Sequence, residues 1–375
     1  MDRNSIIGLL LIGAILIGFS IWNQPSKEQM EAMQRQHDSI ALVEKSKVEA
    51  ELKARKQETQ QPVAVIDSTV SDSAKTIALQ QQLGSFAAAA NGTNDFYVLE
   101  NNLIRAKISS KGGRIVSLQL KEYKTFDKKP LMLFDGDSSA FGLNFFSQNK
   151  IISTNNLFFT AVNPGSKKDL ALRLNAGDNK YIEYNYSLPD NSYLLSFSIK
   201  LNGINELIAS NTTFIDLDWQ QKLLRQERAS ETERIHSTIY YKYVNDEVDH
   251  LSETSDGEKV LDTKVKWVAF KQQFFSSVLI AKDGFESSKI EDHSEIPSPD
   301  YLKNCKASFR LPFSHKAEET YAMNFYFGPN HFQTLKKLDL DLEKIINLGF
   351  FGFVNRWLVI PVFNWLDSFN INYGI

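Results

Sequence analysis

Catalysis needs reactive side chains at workable spacing, and this sequence offers few. Its histidines (His37, His236, His250, His293, His315 and His331) lie in polar, irregular or helix-edge contexts without ligand spacing, so they read as solvated or structural. The single cysteine, Cys305, excludes an intrachain disulfide and any multi-cysteine zinc site. A small buried residue is its ordinary role. Asp216 and Asp218 stand two apart on a strand candidate and share a face, as calcium ligands or paired acids would. A strand-end turn or cap explains them equally well. Gly112-Gly113 sits between strand candidates and reads as a tight turn rather than a phosphate cradle. The nucleotide-binding, nucleophile-elbow and zinc-protease motifs are all missing. No catalytic residue, cofactor or metal is expected.

The elements that would position any site differ sharply along the chain. The 375 residues are 42% hydrophobic and 23% charged, with formal net charge −3. Those averages fit a soluble protein with a sizeable core and argue against a chain that is membrane-spanning throughout. The near-neutral charge argues against nucleic acid as a partner. Phenylalanine is abundant at 26 residues against 5 methionines.

Residues 1–23 read as a transmembrane anchor. Ser5 to Trp22 is uncharged over 18 residues, of which 11 are Leu, Ile or Phe. At roughly 0.5 kcal/mol each, bilayer insertion is favoured by about 5 kcal/mol. Trp22 falls where an interfacial aromatic belongs. A cleaved signal peptide is the competing reading, but the apolar run is long and the charged region before it is thin. The positive-inside count ties, so charge does not orient the anchor. Residues 24–61 follow as a charged helical spacer, with seven Lys/Arg and seven Asp/Glu between Lys27 and Gln61. Residues 62–94 read as a low-complexity linker, rich in Ser, Thr, Gln and Ala.

From 95 to 330 the hydrophobic period changes to two. Ile104, Ala106 and Ile108 alternate with Arg105 and Lys107, and the segments 181–186 and 195–201 repeat the pattern. Further strand candidates lie at 118–120, 140–146, 157–162, 170–174, 212–217, 274–281, 306–311 and 321–327. Gly, Pro, Asn and Asp clusters separate them. So many strands imply a mainly β domain of two packed antiparallel sheets, with large inward aromatics filling a wide core. Gln220 to Glu233 has a charged, helical composition and reads as an insertion.

After the strands, Leu335, Leu338, Leu342 and Ile345 fall at helical spacing, which predicts an amphipathic helix over 331–347. Residues 348–370 then turn almost wholly apolar. On a helix, Gly349, Gly352, Arg356, Asn364 and Asp367 form one stripe, opposite Phe350, Phe351, Val354, Trp357, Leu358, Pro361 and Trp365. A charge near the centre of a lone span costs roughly 2.5–3.5 kcal/mol. A helix lying in the membrane interface leaves that stripe in water instead. A second span and a core helix of the β domain are the other readings. The membrane-interface candidates are thus Trp22, Phe350, Phe351, Arg356, Trp357, Trp365 and Asp367. Residues 371–375 read as the start of a further element, cut off.

Several segments in this order resemble the N-terminal part of YidC-type membrane protein insertases of Bacteroidetes-like bacteria. They are Met1 to Gly8, the Lys111-Gly-Gly-Arg-Ile115 turn, Trp267 to Phe275, Phe325-Tyr-Phe-Gly-Pro329 and the aromatic stretch Gly349 to Tyr373. The resemblance implies an inner-membrane protein without enzymatic activity. It implies an N-in anchor, a periplasmic β-supersandwich and an amphipathic helix on the membrane face. Its implied partners are the lipid bilayer, nascent membrane proteins and the Sec translocon with its accessory subunits. It also implies that five core membrane helices follow, so that this chain is a truncated piece. A membrane-tethered carbohydrate-binding or carbohydrate-modifying β-sandwich is the alternative.

Overall fold

The computed structural model describes residues 72–362, apart from 297, 348, 350, 351 and 360. The regions expected as anchor (1–23), charged spacer (24–61) and further element (371–375) lie outside the described residues.

The described chain is mainly β. In order come β1 (Phe96–Glu100), β2 (Ile104–Ser109), β3 (Ile115–Lys124), β4 (Pro130–Asp135), β5 (Ser139–Ser147), β6 (Lys150–Ser153), β7 (Thr160–Ala161), β8 (Asp169–Asn175), β9 (Tyr181–Ser187) and β10 (Leu194–Asn202). There follow β11 (Phe214–Leu224), β12 (Thr238–Tyr243), β13 (Val248–His250), β14 (Gly257–Leu261), β15 (Val265–Lys271), β16 (Phe275–Phe285), β17 (Ser288–Ser294), β18 (Tyr301–Pro312) and β19 (Glu318–Pro329). They form a four-stranded sheet (β1-β2-β3-β4), a nine-stranded sheet (β13-β12-β15-β16-β19-β10-β9-β8-β7) and a six-stranded sheet (β14-β17-β18-β11-β5-β6). Every strand pairing is antiparallel. The hairpin β18–β19 serves both large sheets: β18 lies between β17 and β11, and β19 between β16 and β10.

Alternation explains the packing. Leu195, Phe197, Ile199 and Leu201 of β10 point inward and are buried. Across from them the six-stranded sheet supplies Phe141, Leu143, Leu217 and Trp219. The sheets meet in ring contacts: Trp219 stacks on Phe270 with centroids 3.8 Å apart, and Phe141 sits edge-on to both Phe197 and Phe325 at 5.4 Å. Much of the phenylalanine excess is therefore inter-sheet filling. The four-stranded sheet shares this core through Phe134, 5.8 Å from Phe327. Gly112 and Gly113 form the expected tight turn with φ of 76° and 63°. A Cβ on Gly113 would lie 3.0–3.1 Å from Tyr184 and Phe159.

Three expectations are corrected. The linker does not extend to 94: Asp72–Leu83 is a helix, α1, and Gly84–Ala90 a 3-10 turn. Phe86 is fully buried, edge-on to Phe145 at 5.6 Å. Phe158 N–H donates to the Ala89 carbonyl at 2.7 Å. An alanine run looks like low complexity, yet alanine favours helix and one phenylalanine suffices to dock it. Second, Gln220 to Glu233 is not an insertion. Strand β11 continues to Leu224, and only Ser230–Ile235 is helical (α2). The alternation is masked because the inward residue Gln221 is polar; its amide donates to the Leu133 carbonyl at 3.3 Å.

Third, 331–347 is not one helix. Phe332–Lys336 forms a short helix, α3, and Leu342–Ile345 a 3-10 turn. Between them Asp339 and Asp341 take left-handed conformations, φ 54° and 59°, which end a helix. Further on, Gly352–Val354 makes a helical turn and Asn355–Val359 a π turn, just before Pro361. Proline lacks the N–H and crowds the preceding turn, which accounts for the widening there. No helix among the described residues is long and apolar enough to cross a membrane.

Candidate functional site: the seat of the C-terminal strap

A two-period strand should show water its outer face, yet part of the nine-stranded sheet is apolar on both sides. Tyr240, Trp267, Ala269, Val278, Ile280 and Tyr326 form a second buried cluster on the outer face. The strap that covers it is the broken segment 331–346, which contributes Leu335, Leu342 and Ile345 as buried residues and Leu338, Leu340 and Ile346 as partly buried ones.

Polar contacts fix the strap's register on this seat. Fully buried Trp267 donates its indole N–H to the Leu340 carbonyl at 2.8 Å. Lys242 pairs with Asp341 at 3.0 Å, and Lys344 reaches Asp341 at 3.4 Å and Glu247 at 3.2 Å. The hydrogen bond from Lys242 holds the Asp341 carboxyl below the usual carboxylate range. At the strap's entry Asn330 is clamped by the β15–β16 turn. Its N–H donates to the Phe274 carbonyl at 2.7 Å and its side-chain amide to the Gln272 carbonyl at 2.9 Å. Ser276 donates to the Asn330 side-chain oxygen at 2.6 Å. Thus Trp267 to Phe275 and Phe325 to Pro329, far apart in sequence, meet where the chain leaves the sheet.

The arrangement holds a segment in place. A groove of about 720 Å³ runs beside the strap, lined by Asn185, Ser196, Ser198 and Asn324 with Leu338 and Leu340. Among the described residues Asp169 is the only carboxylate on its walls, and it accepts a hydrogen bond from Ser187 at 2.6 Å. A pair of acids facing each other across a cleft is not found there.

The sequence-derived candidates are placed as follows. Arg356 and Trp357 lie on the π turn Asn355–Val359. Trp22, Phe350, Phe351, Trp365 and Asp367 are outside the described residues. Asp218 is occupied structurally, accepting from Asn144 at 2.7 Å and Ser308 at 2.6 Å. Burial raises the pKa of Asp216, opposed by nearby Arg310. Cys305 is buried, and burial pushes its thiol pKa well up, as suits an inert core residue. His236, His250 and His315 each donate a ring N–H to a backbone carbonyl. No group of three or more His, Cys, Asp or Glu among the described residues is placed to hold a metal.

Sequence reasoning missed the seat itself. A signal was present: Leu338-Asp-Leu340-Asp-Leu342 alternates with period two, against a helix. It also missed the ion pair of Lys303 with Asp292, 2.9 Å apart with side chains 1% and 0% exposed. Asp292 further accepts from the Gly257 N–H at 3.0 Å, which ties β14 to β17.

Comparison with known proteins places this architecture. The profile of the YidC periplasmic domain matches residues 97–361. The membrane protein insertase YidC of Parabacteroides distasonis is 39% identical over 388 residues, covering 100% of this chain and 60% of the relative. That of Bacteroides fragilis is 36% identical over 389 residues with the same coverage, 100% and 60%. The chain thus spans about 60% of the length of these relatives. Among solved structures, a galactose mutarotase related enzyme from Lactobacillus acidophilus aligns with TM-score 0.42 and 11% identity, over 62% of this chain and 97% of that one. That likeness is too low to bear on function. Profile and relatives agree on one assignment: the chain belongs to the YidC family and carries its periplasmic domain.

Proposed function

We propose that this chain is the membrane-anchoring and periplasmic part of a membrane protein insertase and folding chaperone, acting with or without the Sec translocon. Residues 1–23 anchor it in the bacterial inner membrane, and residues 348–370 lie in the periplasmic membrane interface. There Trp22, Phe350, Phe351, Trp357 and Trp365 face the headgroup region, and Arg356 and Asp367 stay in water. The β domain is a platform for Sec subunits and incoming membrane proteins, with no nucleic acid, cofactor or bond chemistry involved. The physical work is to shorten the polar distance that a client's apolar segment crosses between water and lipid.

The observation that carries this reading is the seat. The end of the β domain is clamped at Asn330, Trp267 and Asp341 immediately before the aromatic segment. A fixed departure point lets a rigid domain set the position of whatever follows. The test is complementation of an insertase-depleted bacterium by the natural full-length gene. Growth should be restored, and membrane delivery of a Sec-independent client should fall when Trp267→Ala and Lys242→Glu loosen the strap. Failure of the unmodified gene to complement would sink the proposal.

A further inference from the structure

The Lys111-Gly-Gly-Arg-Ile115 turn opens onto a cavity of about 550 Å³, away from the strap, between the end of β2, the start of β3 and the segment 135–140. Arg114, Lys107, Lys111, Asn94 and Ser139 are among its lining residues. The Arg114 side chain is only 14% exposed, and its one carboxylate partner, Asp137, is 3.3 Å away and wholly exposed. Ser139 takes a second Arg114 N–H at 3.2 Å. A guanidinium carries five N–H donors, so the remaining ones have no acceptor among the described residues. Burial pulls the Arg114 pKa down, the mark of a cation short of compensation.

The neighbouring groups share that surplus. Lys107 rests over the Phe96 ring at 4.1 Å, and neither it nor Lys111 has a carboxylate partner among the described residues. The Asn94 side-chain oxygen accepts from Ser109 at 2.5 Å and from the Lys111 N–H at 3.3 Å, leaving its NH₂ as the unused end. Asp135, the other acid of the lining, bonds Ser138 through its backbone: its N–H donates to the Ser138 hydroxyl at 3.1 Å and its carbonyl accepts from it at 2.7 Å. The glycine amides take no part: Gly112 donates to the Leu157 carbonyl at 2.8 Å and Gly113 to the Ser110 carbonyl at 3.3 Å. Donors and cations thus predominate on the lining, beside one buried amide acceptor without a partner among the described residues, the Asn155 side-chain oxygen. That excess of donors suits an anion whose acceptors point in several directions.

We propose that this cavity binds a phosphate ester, with the phosphate on Arg114, Lys107 and Lys111. The volume leaves room for the organic part. The ester has two possible sources, an anionic lipid headgroup or a soluble phosphate, and both present the same group.

The experiment uses the full chain in phosphatidylcholine nanodiscs, titrated with glycerol 1-phosphate and followed by calorimetry. Saturable binding is expected, weakened about tenfold by Arg114→Gln and by a similar factor in Lys107→Gln with Lys111→Gln, since each removes charge-assisted hydrogen bonds. The lysine pair is exposed, so that variant keeps the fold if Arg114→Gln does not. Displacement of glycerol 1-phosphate when phosphatidylglycerol is added to the nanodiscs assigns the lipid as source. Undisturbed binding assigns the soluble ester. No saturable binding by the unmodified chain, or equal binding by it and the lysine-pair variant, overturns the proposal.

Discussion

The indole of Trp267 on β15 is hydrogen-bonded at 2.8 Å to the carbonyl of Leu340, 73 residues later in the chain. This contact fixes where the chain leaves the nine-stranded sheet, so it should be the most sensitive point of the strap. Trp267→Phe keeps an aromatic ring and removes only the donor, leaving the Leu340 carbonyl without its partner at a cost of about 1–3 kcal/mol. Trp267→Ala adds a cavity and should cost about 3–5 kcal/mol. Amide exchange across residues 338–346 should quicken in both variants while β5 and β11 stay protected. Unchanged exchange in both would mean that the leucines alone hold the strap.

Acid should loosen the same strap. Lys242 holds the Asp341 carboxyl below its ordinary range, so the folded pKa lies under the unfolded one. The contribution of this pair is complete above the unfolded value and fades as pH falls through the folded value. The indole N–H resonance of Trp267 should therefore hold steady near neutrality and shift only below about pH 4. Asp341→Asn should remove the acid step. A shift centred near pH 6 would assign the transition to another group.

The buried pair of Lys303 and Asp292 should respond asymmetrically. Asp292→Ala strands a buried ammonium and should cost about 3–5 kcal/mol in thermal or chemical unfolding. Replacing both residues, Asp292→Leu with Lys303→Met, should recover most of that loss, because two charges no longer need desolvation. If the double variant were as unstable as the single one, the pair would be acting through its hydrogen bonds to β14.

The proposed interfacial segment makes a depth prediction. Arg356→Leu combined with Asp367→Leu should draw the helix inward, since each charge near a bilayer centre costs roughly 2.5–3.5 kcal/mol. A fluorescent or spin probe at Val359 should report deeper immersion in vesicles. A probe depth that does not change would argue against the interfacial placement.

Much of the fold was legible because alternation is a strong signal wherever one face meets the core, as in β2, β9 and β10. It failed where inward positions are polar. Gln221 in β11 and Asp292 in β17 hide their strands because their partners lie elsewhere in sequence. It failed again where both faces are covered. Trp267-Val268-Ala269-Phe270 is buried throughout and has no period to read. The seat depends on Leu340 finding Trp267, a long-range pairing that local pattern does not encode. The aspartates that break the strap looked like the polar face of a helix.

The hairpin β18–β19 has a consequence for how the domain is made. Residues 194–202 wait for partners at 318–326, and residues 214–222 for partners at 304–312. Until the final hairpin arrives, β10 and β11 each expose an unpaired edge through synthesis and export. Closure is thus delayed to the last two strands of the domain, and such non-local pairing is slow. The domain would itself pass through export as an open, aggregation-exposed pair of half-sheets.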